Sequence, residues 1–431
     1  MDFSFTDEQK QLADAVRRFI DKDYGFEARN KIVYSPEGVS QSAWDSIAEL
    51  GLTALPVPEA QGGFDGRAMD LLVVMQELGR GLVVEPYQAT VLSAQALKLA
   101  GGQDALLEEV AGGAVKLAIA FGEPQSRYEL FNVTTRATQQ GGGWVLTGAK
   151  AVVVHGAQAD KLIVSARTGG EARDTAGLSL FVVDRDAAGV TVKDYRTIDN
   201  LHAADIRFDN APATLLGKAG EAWETIDAVA DLGCVMLCAE AIGLIDALNA
   251  ATLEYTKTRQ QFGVPIARFQ ALQHRMVDMF IHAEQARSIT YLAAAHFEDG
   301  DVEARRRYVS AAKARAACPT RRRPGSGAVA RRHGRDERTA GGAHVQAAHD
   351  DQHDARRCGS SSGALRIAAG FSARSIKANF NAPPFSIRAG RCHLESTTWQ
   401  RQRFPTSFTL TISKSAARCR WARTPSPKKK S

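Results

Sequence analysis

Between Arg259 and Gln270 the chain gathers a guanidinium, an aromatic ring, a glycine and an amide: Arg259, Phe262, Gly263 and Gln270. A guanidinium forks onto phosphate oxygens and a ring covers the edge of a flat heterocycle. The chemistry on offer is therefore recognition of a phosphate-bearing heterocycle. The competing reading is an ordinary helical hairpin with a surface arginine. Fewer groups suggest proton transfer. His155 closes an apolar run and could serve as a base, although a lone histidine at a strand end is more often structural. Asp231 and Glu240 lie on an apolar helix, where Glu240 is expected to pair with a polar group of the surrounding bundle. Cys234 and Cys238, one turn apart on that helix, read as core residues and suit a reducing cytoplasm. No metal site is expected.

The elements that must position these groups follow from the periodicity. Thr6-Asp7-Glu8-Gln9 is a capping box with Leu12, Ala15, Val16 and Phe19 at helical spacing behind it, which predicts an amphipathic helix over 7–23. Trp44, Ile47 and Leu50 share a face of a second helix, and 70–79 reads as another, parted from it by the Pro/Gly-rich loop Leu55–Gly63. From Val115 the period shortens. KLAIAF, WVLTGAKAVVVHG, KLIVSAR, LSLFVV, VTVKDY and AADIRF predict strands of a small barrel. A long helix over 221–253 follows, with Ile226, Val229, Leu232, Leu237, Ala241 and Leu244 as its apolar stripe. It ends at a tight turn over 262–265, where Gly263 permits the bend and Pro265 fixes the exit. A return helix to about Glu298 and a third helix beginning over 309–317 complete the pattern. The chain opens into an amphipathic helix and holds no uninterrupted run of eighteen apolar residues, so neither a signal peptide nor a membrane span is expected.

The sequence resembles the acyl-CoA dehydrogenase family. Arg259, Phe262, Gly263 and Gln270 stand where that family carries its flavin-binding hairpin, and the helix, LPVPEAQGG loop, helix order matches its N-terminal domain. The resemblance implies an α+β fold of three parts: an N-terminal helical domain over 1–113, a middle β-barrel over 114–217 and a C-terminal helical bundle from 218, here truncated near 317. It implies FAD as cofactor, with Arg259 and Gln270 lying against the diphosphate and adenine of a neighbouring subunit's flavin. Gly122 and Val154 fall at the positions of two further flavin contacts. Both depart from the family pattern: Gly122-Glu123-Pro124 keeps Glu-Pro but loses the threonine, and Val154 replaces the threonine whose hydroxyl meets flavin N5. The implied reaction is oxidation of an acyl-CoA thioester to the 2-enoyl-CoA in a homo- or hetero-oligomer, electrons passing to an electron-transferring flavoprotein. The catalytic residue stays unassigned. The family's base lies either in the C-terminal segment or on the helix before the hairpin, and the latter position falls on Gly233. A chain without a base also fits a non-catalytic, FAD-holding subunit of a hetero-oligomer.

Charge breaks the chain in two. Residues 1–317 hold 31 Lys+Arg against 42 Asp+Glu, whereas residues 318–431 hold 23 against 6. Helical periodicity is lost after Ala317, and Arg, Gly, Ala, His and Ser take over. One reading is a basic, disordered tail for nucleic acid, with a different function altogether. The reading preferred here is a reading-frame slip between about Ala314 and Thr320. Reverse-translated and shifted by one base, Val-Ala-Arg-Arg-His-Gly at 329–334 permits Leu-His-Gly-Gly-Met-Gly, which resembles the family's glycine-rich turn at the FAD adenine.

Overall fold

The computed structural model describes residues 5–321 together with 408–412 and 419–423. Six helices come first: α1 (Asp7–Asp23), α2 (Phe26–Val33), α3 (Gln41–Glu49), α4 (Ala68–Gly81), α5 (Tyr87–Ala100) and α6 (Asp104–Ala111). The predicted capping box starts α1. Gln9 N donates to Thr6 Oγ1 at 3.2 Å and Thr6 N donates to Gln9 Oε1 at 3.0 Å, so two otherwise orphaned amides are satisfied. Val16, Phe19 and Ile20 then point into the core beside Trp44 and Ile47 of α3. Residues 55–63 form turns and a short 3-10 segment, as the Pro and Gly content predicts.

The middle strands are β1 (Leu117–Ala120), β2 (Arg136–Gln140), β3 (Gly143–Val154), β4 (Lys161–Arg167), β5 (Leu178–Asp184), β6 (Val190–Arg196) and β7 (His202–Leu216). Strand β4 pairs with β5, β5 with β7, β7 with β3, and β3 with β2. The ring closes where β2 returns to β4 through the single pair Arg136–Arg167. A closed ring leaves these strands no free edge, which is the barrel expected from the short β-branched runs. Strand β3 is irregular: its register against β7 shifts between Lys150 and Val153, and Val152 adopts φ 54°. A β-branched residue in the left-handed region is strained, and the bulge redirects the strand end at Val153–Val154–His155.

Helix α7 (Trp223–Thr258) runs through the core, followed by the hairpin strands β8 (Gln260–Gln261) and β9 (Val264–Pro265), α8 (Gln270–Ala295) and α9 (Val302–Arg321). Helices α4 and α7 cross at glycines. A Cβ on Gly243 would lie 1.9 Å from Gln76 O, and one on Gly79 would lie 2.3 Å from Glu240 O, so neither site accepts a side chain. By composition α7 is long and apolar enough to cross a membrane, a property that counting uninterrupted runs passes over, and 83% of its most apolar window is buried inside the fold. Salt bridges tie α9 to α7: Arg305 Nε lies 2.9 Å from Asp231 Oδ2, and Arg306 reaches Asp227 at 2.8 Å.

Several elements differ from expectation. The third bundle helix starts at Val302, because Asp301 Oδ1 caps the Ala304 amide at 3.0 Å, and it continues to Arg321, past the expected break at Ala317. The tight turn is a small antiparallel hairpin whose two loop residues, Phe262 and Gly263, sit at φ 54° and 78°. That is the pairing a two-residue hairpin requires. The tail expected to be disordered lies outside the described residues except for β10 (Phe408–Ile412) and β11 (Cys419–Arg423). These pair antiparallel with Leu410 opposite Trp421.

Candidate active site

A cleft opens where the N-terminal helices, the barrel and α7 meet. Met75 and Leu78 of α4, Leu92 of α5 and Ile119 of β1 give it apolar walls. Glu85, Tyr87 and Gln88 reach it from the start of α5, Val154 and His155 from the end of β3, and Glu240 from α7. The space within it amounts to about 50 Å³ and opens to solvent. The bulge in β3 is what turns Val154 and His155 toward the helices instead of along the barrel wall.

The polar groups of the cleft are poorly partnered. Glu85 accepts from Ser40 N at 3.3 Å through Oε1, while Oε2 is buried without a hydrogen bond. Burial pushes its carboxyl up, against the bond from Tyr24. The Tyr87 hydroxyl is buried with no partner, and burial pushes it up as well. Burial, with a lesser contribution from Asp199, raises Glu240 to about 7. Glu240 makes no hydrogen bond among the described residues, so the expected bundle partner is absent. Asp231 is the acid that pairs instead: burial and then Asp227 lift it to about 6, opposed by Arg305. His155 donates its amide to His202 O at 2.8 Å, and burial lowers its ring to about 4, so it is a neutral, buried side chain at neutral pH.

Behind the cleft lies an ion pair that sequence reasoning missed. Lys150 Nζ stands 2.8 Å from Glu123 Oε1, with both side chains fully excluded from solvent. Glu123 also accepts from Thr134 N at 2.7 Å and Thr135 N at 3.1 Å, and Lys150 donates to Ser165 Oγ at 3.0 Å. Burial alone would raise the Glu123 carboxyl; Lys150 overrides it and holds the group at about 2. The pair joins the Gly122-Glu123-Pro124 turn to β3, and Gly122 O accepts from Ala151 N at 3.0 Å beside it. The available signal was a Glu-Pro turn and a lysine in two otherwise apolar, strand-forming stretches.

The proposed cofactor residues fall into two groups. Gly122 and Val154 lie at the barrel end, and Val154 lines the cleft. Arg259, Phe262 and Gln270 sit together at the α7–α8 hairpin tip and face solvent. Phe262 is 92% exposed, and its ring meets Phe269 edge-on at 6.1 Å between centroids. Arg259 has no ion pair among the described residues. An exposed ring and a solvent-facing guanidinium on one hairpin are chemically suited to a phosphate-bearing heterocycle.

A helical layer and a helical bundle clasping a strand barrel, with a mixed apolar and acidic cleft at their junction, make up the three-part architecture that the family resemblance implies. Family profiles agree: acyl-CoA dehydrogenase N-terminal domain over 6–106, middle domain over 118–211 and C-terminal domain over 221–321. The chain belongs to the acyl-CoA dehydrogenase family. It is 28% identical to a probable acyl-CoA dehydrogenase, YngJ, of Bacillus subtilis (strain 168) over 306 residues, covering 68% of this chain and 80% of the relative. Its fold matches the butyryl-CoA dehydrogenase of Megasphaera elsdenii with a TM-score of 0.74 at 22% identity, covering 89% of this chain and 99% of the other. It also matches the FAD complex of PigA with a TM-score of 0.71 at 22% identity, covering 86% and 98%.

Proposed function

We propose that this domain set carries out α,β-dehydrogenation of an acyl-CoA thioester in the cytoplasm, giving the trans-2-enoyl-CoA and passing electrons to an electron-transferring flavoprotein. The observation that carries the reading is the three-domain cleft, whose barrel side includes Val154, the residue at the family's flavin N5 position. Bound FAD would supply the hydride acceptor. The chain's own residues do the rest. The apolar walls exclude water from the acyl group, which strengthens every electrostatic interaction with it. Gly122 and Val154 border the flavin ring through backbone, since neither side chain can donate. Arg259, Phe262 and Gln270 hold the diphosphate and adenine of a neighbouring subunit's FAD.

The chain as written is read as impaired, with domains at 1–113, 114–217 and 218–317 and an out-of-frame segment over 318–431. Three observations support this. The match to the C-terminal-domain profile stops at residue 321, the charge balance reverses after residue 317, and Val277, Phe280 and Ile281 on α8 are exposed. Sequencing the coding DNA across codons 310–325 tests the slip, and an intact frame with no open shifted alternative would sink it. The reaction is tested by the flavin absorption band of the purified protein, which an acyl-CoA should bleach without oxygen; a colourless protein that stays inert after FAD addition would count against it.

A second reading, an FAD-holding subunit of a hetero-oligomer, is favoured by the exposed apolar residues Val277, Phe280 and Ile281 on α8 beside the flavin hairpin. Activity appearing only with a partner chain that supplies a carboxylate would select it.

A further inference from the structure

The acidic end of the cleft is built unlike its walls. Glu85, Tyr87 and Glu240 arrive from two separate elements and line one space. Glu85 Oε2 and the Tyr87 hydroxyl are buried without a hydrogen bond, and half-buried Glu240 opens onto the same space. Folded proteins pair nearly all buried polar groups, so two unpaired ones facing one space mark a place kept for a ligand. A plain alkyl chain would leave every one of them unsatisfied. No lysine or arginine lines the cleft, and the cation nearest these carboxyls, Arg29, acts on Glu85 from behind the wall. Burial favours their neutral, proton-bearing forms, which suit an uncharged oxygen and not an ammonium group.

We propose that the cleft takes an oxygenated acyl group, one carrying a hydroxyl or keto oxygen beyond the β-carbon, with Glu85, Tyr87 and Glu240 as its hydrogen-bonding partners. The proposal rests on the cleft being the acyl site of the dehydrogenase reading above. A hydroxyl both donates and accepts, and can meet two of the three groups at once. A site built to bond such an oxygen discriminates strongly against the analogue that lacks it, because the protein groups are then left unpaired.

The test is isothermal titration of the full, FAD-supplemented chain with octanoyl-CoA, with chain-matched hydroxy- and keto-octanoyl-CoA carrying the oxygen at successive carbons, with an amino-octanoyl-CoA and with free CoA. The best oxygenated ligand should bind at least roughly 10-fold tighter than octanoyl-CoA, and Tyr87→Phe or Glu240→Leu should remove most of that preference. Equal binding of octanoyl-CoA, or preference for the amino analogue, overturns the acyl class alone. If no acyl-CoA binds better than free CoA, the dehydrogenase reading fails and takes the proposal with it. A ligand-free measurement stands beside these: Tyr87→Phe should melt at the same temperature as the parent or higher. A lower melting temperature would mean that the hydroxyl already has a structural partner, and would overturn the proposal.

Discussion

Lys150 and Glu123 form an ion pair 2.8 Å long at a point where no solvent reaches either side chain. The contact joins the end of the first barrel strand's turn to the strand that carries Val154. Losing one partner would leave a bare charge in the interior. Lys150→Met is therefore expected to cost about 3–5 kcal/mol of unfolding free energy. The double variant Lys150→Met/Glu123→Leu should recover much of it. Chemical denaturation of the three proteins measures both, and a single variant as stable as the parent would dismiss the pair as a lock.

Acid should loosen the same lock. The folded pKa of Glu123, about 2, lies below its ordinary 4.5. Its contribution is present above the unfolded value and is lost as pH falls from about 4.5 toward 2. Unfolding free energy measured over that window should drop more steeply in the parent than in the double variant.

Glu240 carries the opposite sign. Its pKa is raised to about 7, so ionising it in the fold is unfavourable and stability rises as pH falls through 7 toward its ordinary 4.5. Glu240→Gln should stabilise the protein at pH 8 by about 1–3 kcal/mol and change little near pH 5. Thermal melts at both pH values decide it.

Removing the hairpin guanidinium should affect cofactor and not fold. Arg259→Ala is expected to weaken FAD retention by roughly 10- to 100-fold, as loss of a charge-assisted bond of about 1.5–3 kcal/mol would, with no fall in melting temperature because Arg259 is exposed. Fluorescence of released flavin on dilution reports the first quantity, and an unchanged release would separate Arg259 from the cofactor.

The α8 surface gives a fifth expectation. Phe280 is 62% exposed and Val277 54% exposed, one turn apart on one face. Phe280→Asp should shift the particle toward monomer in light scattering while leaving secondary structure intact. An unchanged mass would remove this face from any interface.

Much of the architecture was legible in the chain because it rests on local rules. The Thr6–Gln9 cap, the short β-branched runs and the Phe262-Gly263 turn each declare themselves within a few residues. The cleft was not legible. Tyr87 and Glu240 are far apart in sequence, and nothing local marks which carboxylate will find a partner: Asp231 met Arg305, while Glu240 met none among the described residues. The Lys150–Glu123 pair escaped for the same reason, since burying both charges depends on a barrel that closes only through non-local pairing.

The α4–α7 crossing has a consequence for the chain during its synthesis. Emerging from the ribosome, α7 offers an apolar segment that a membrane or a chaperone could capture. Helix α4, whose Gly79 lets the two backbones meet, has by then already been made. The order of translation thus supplies the cover before the surface that needs it, and a bulkier residue at Gly243 should betray itself first as degradation and aggregation in the cell.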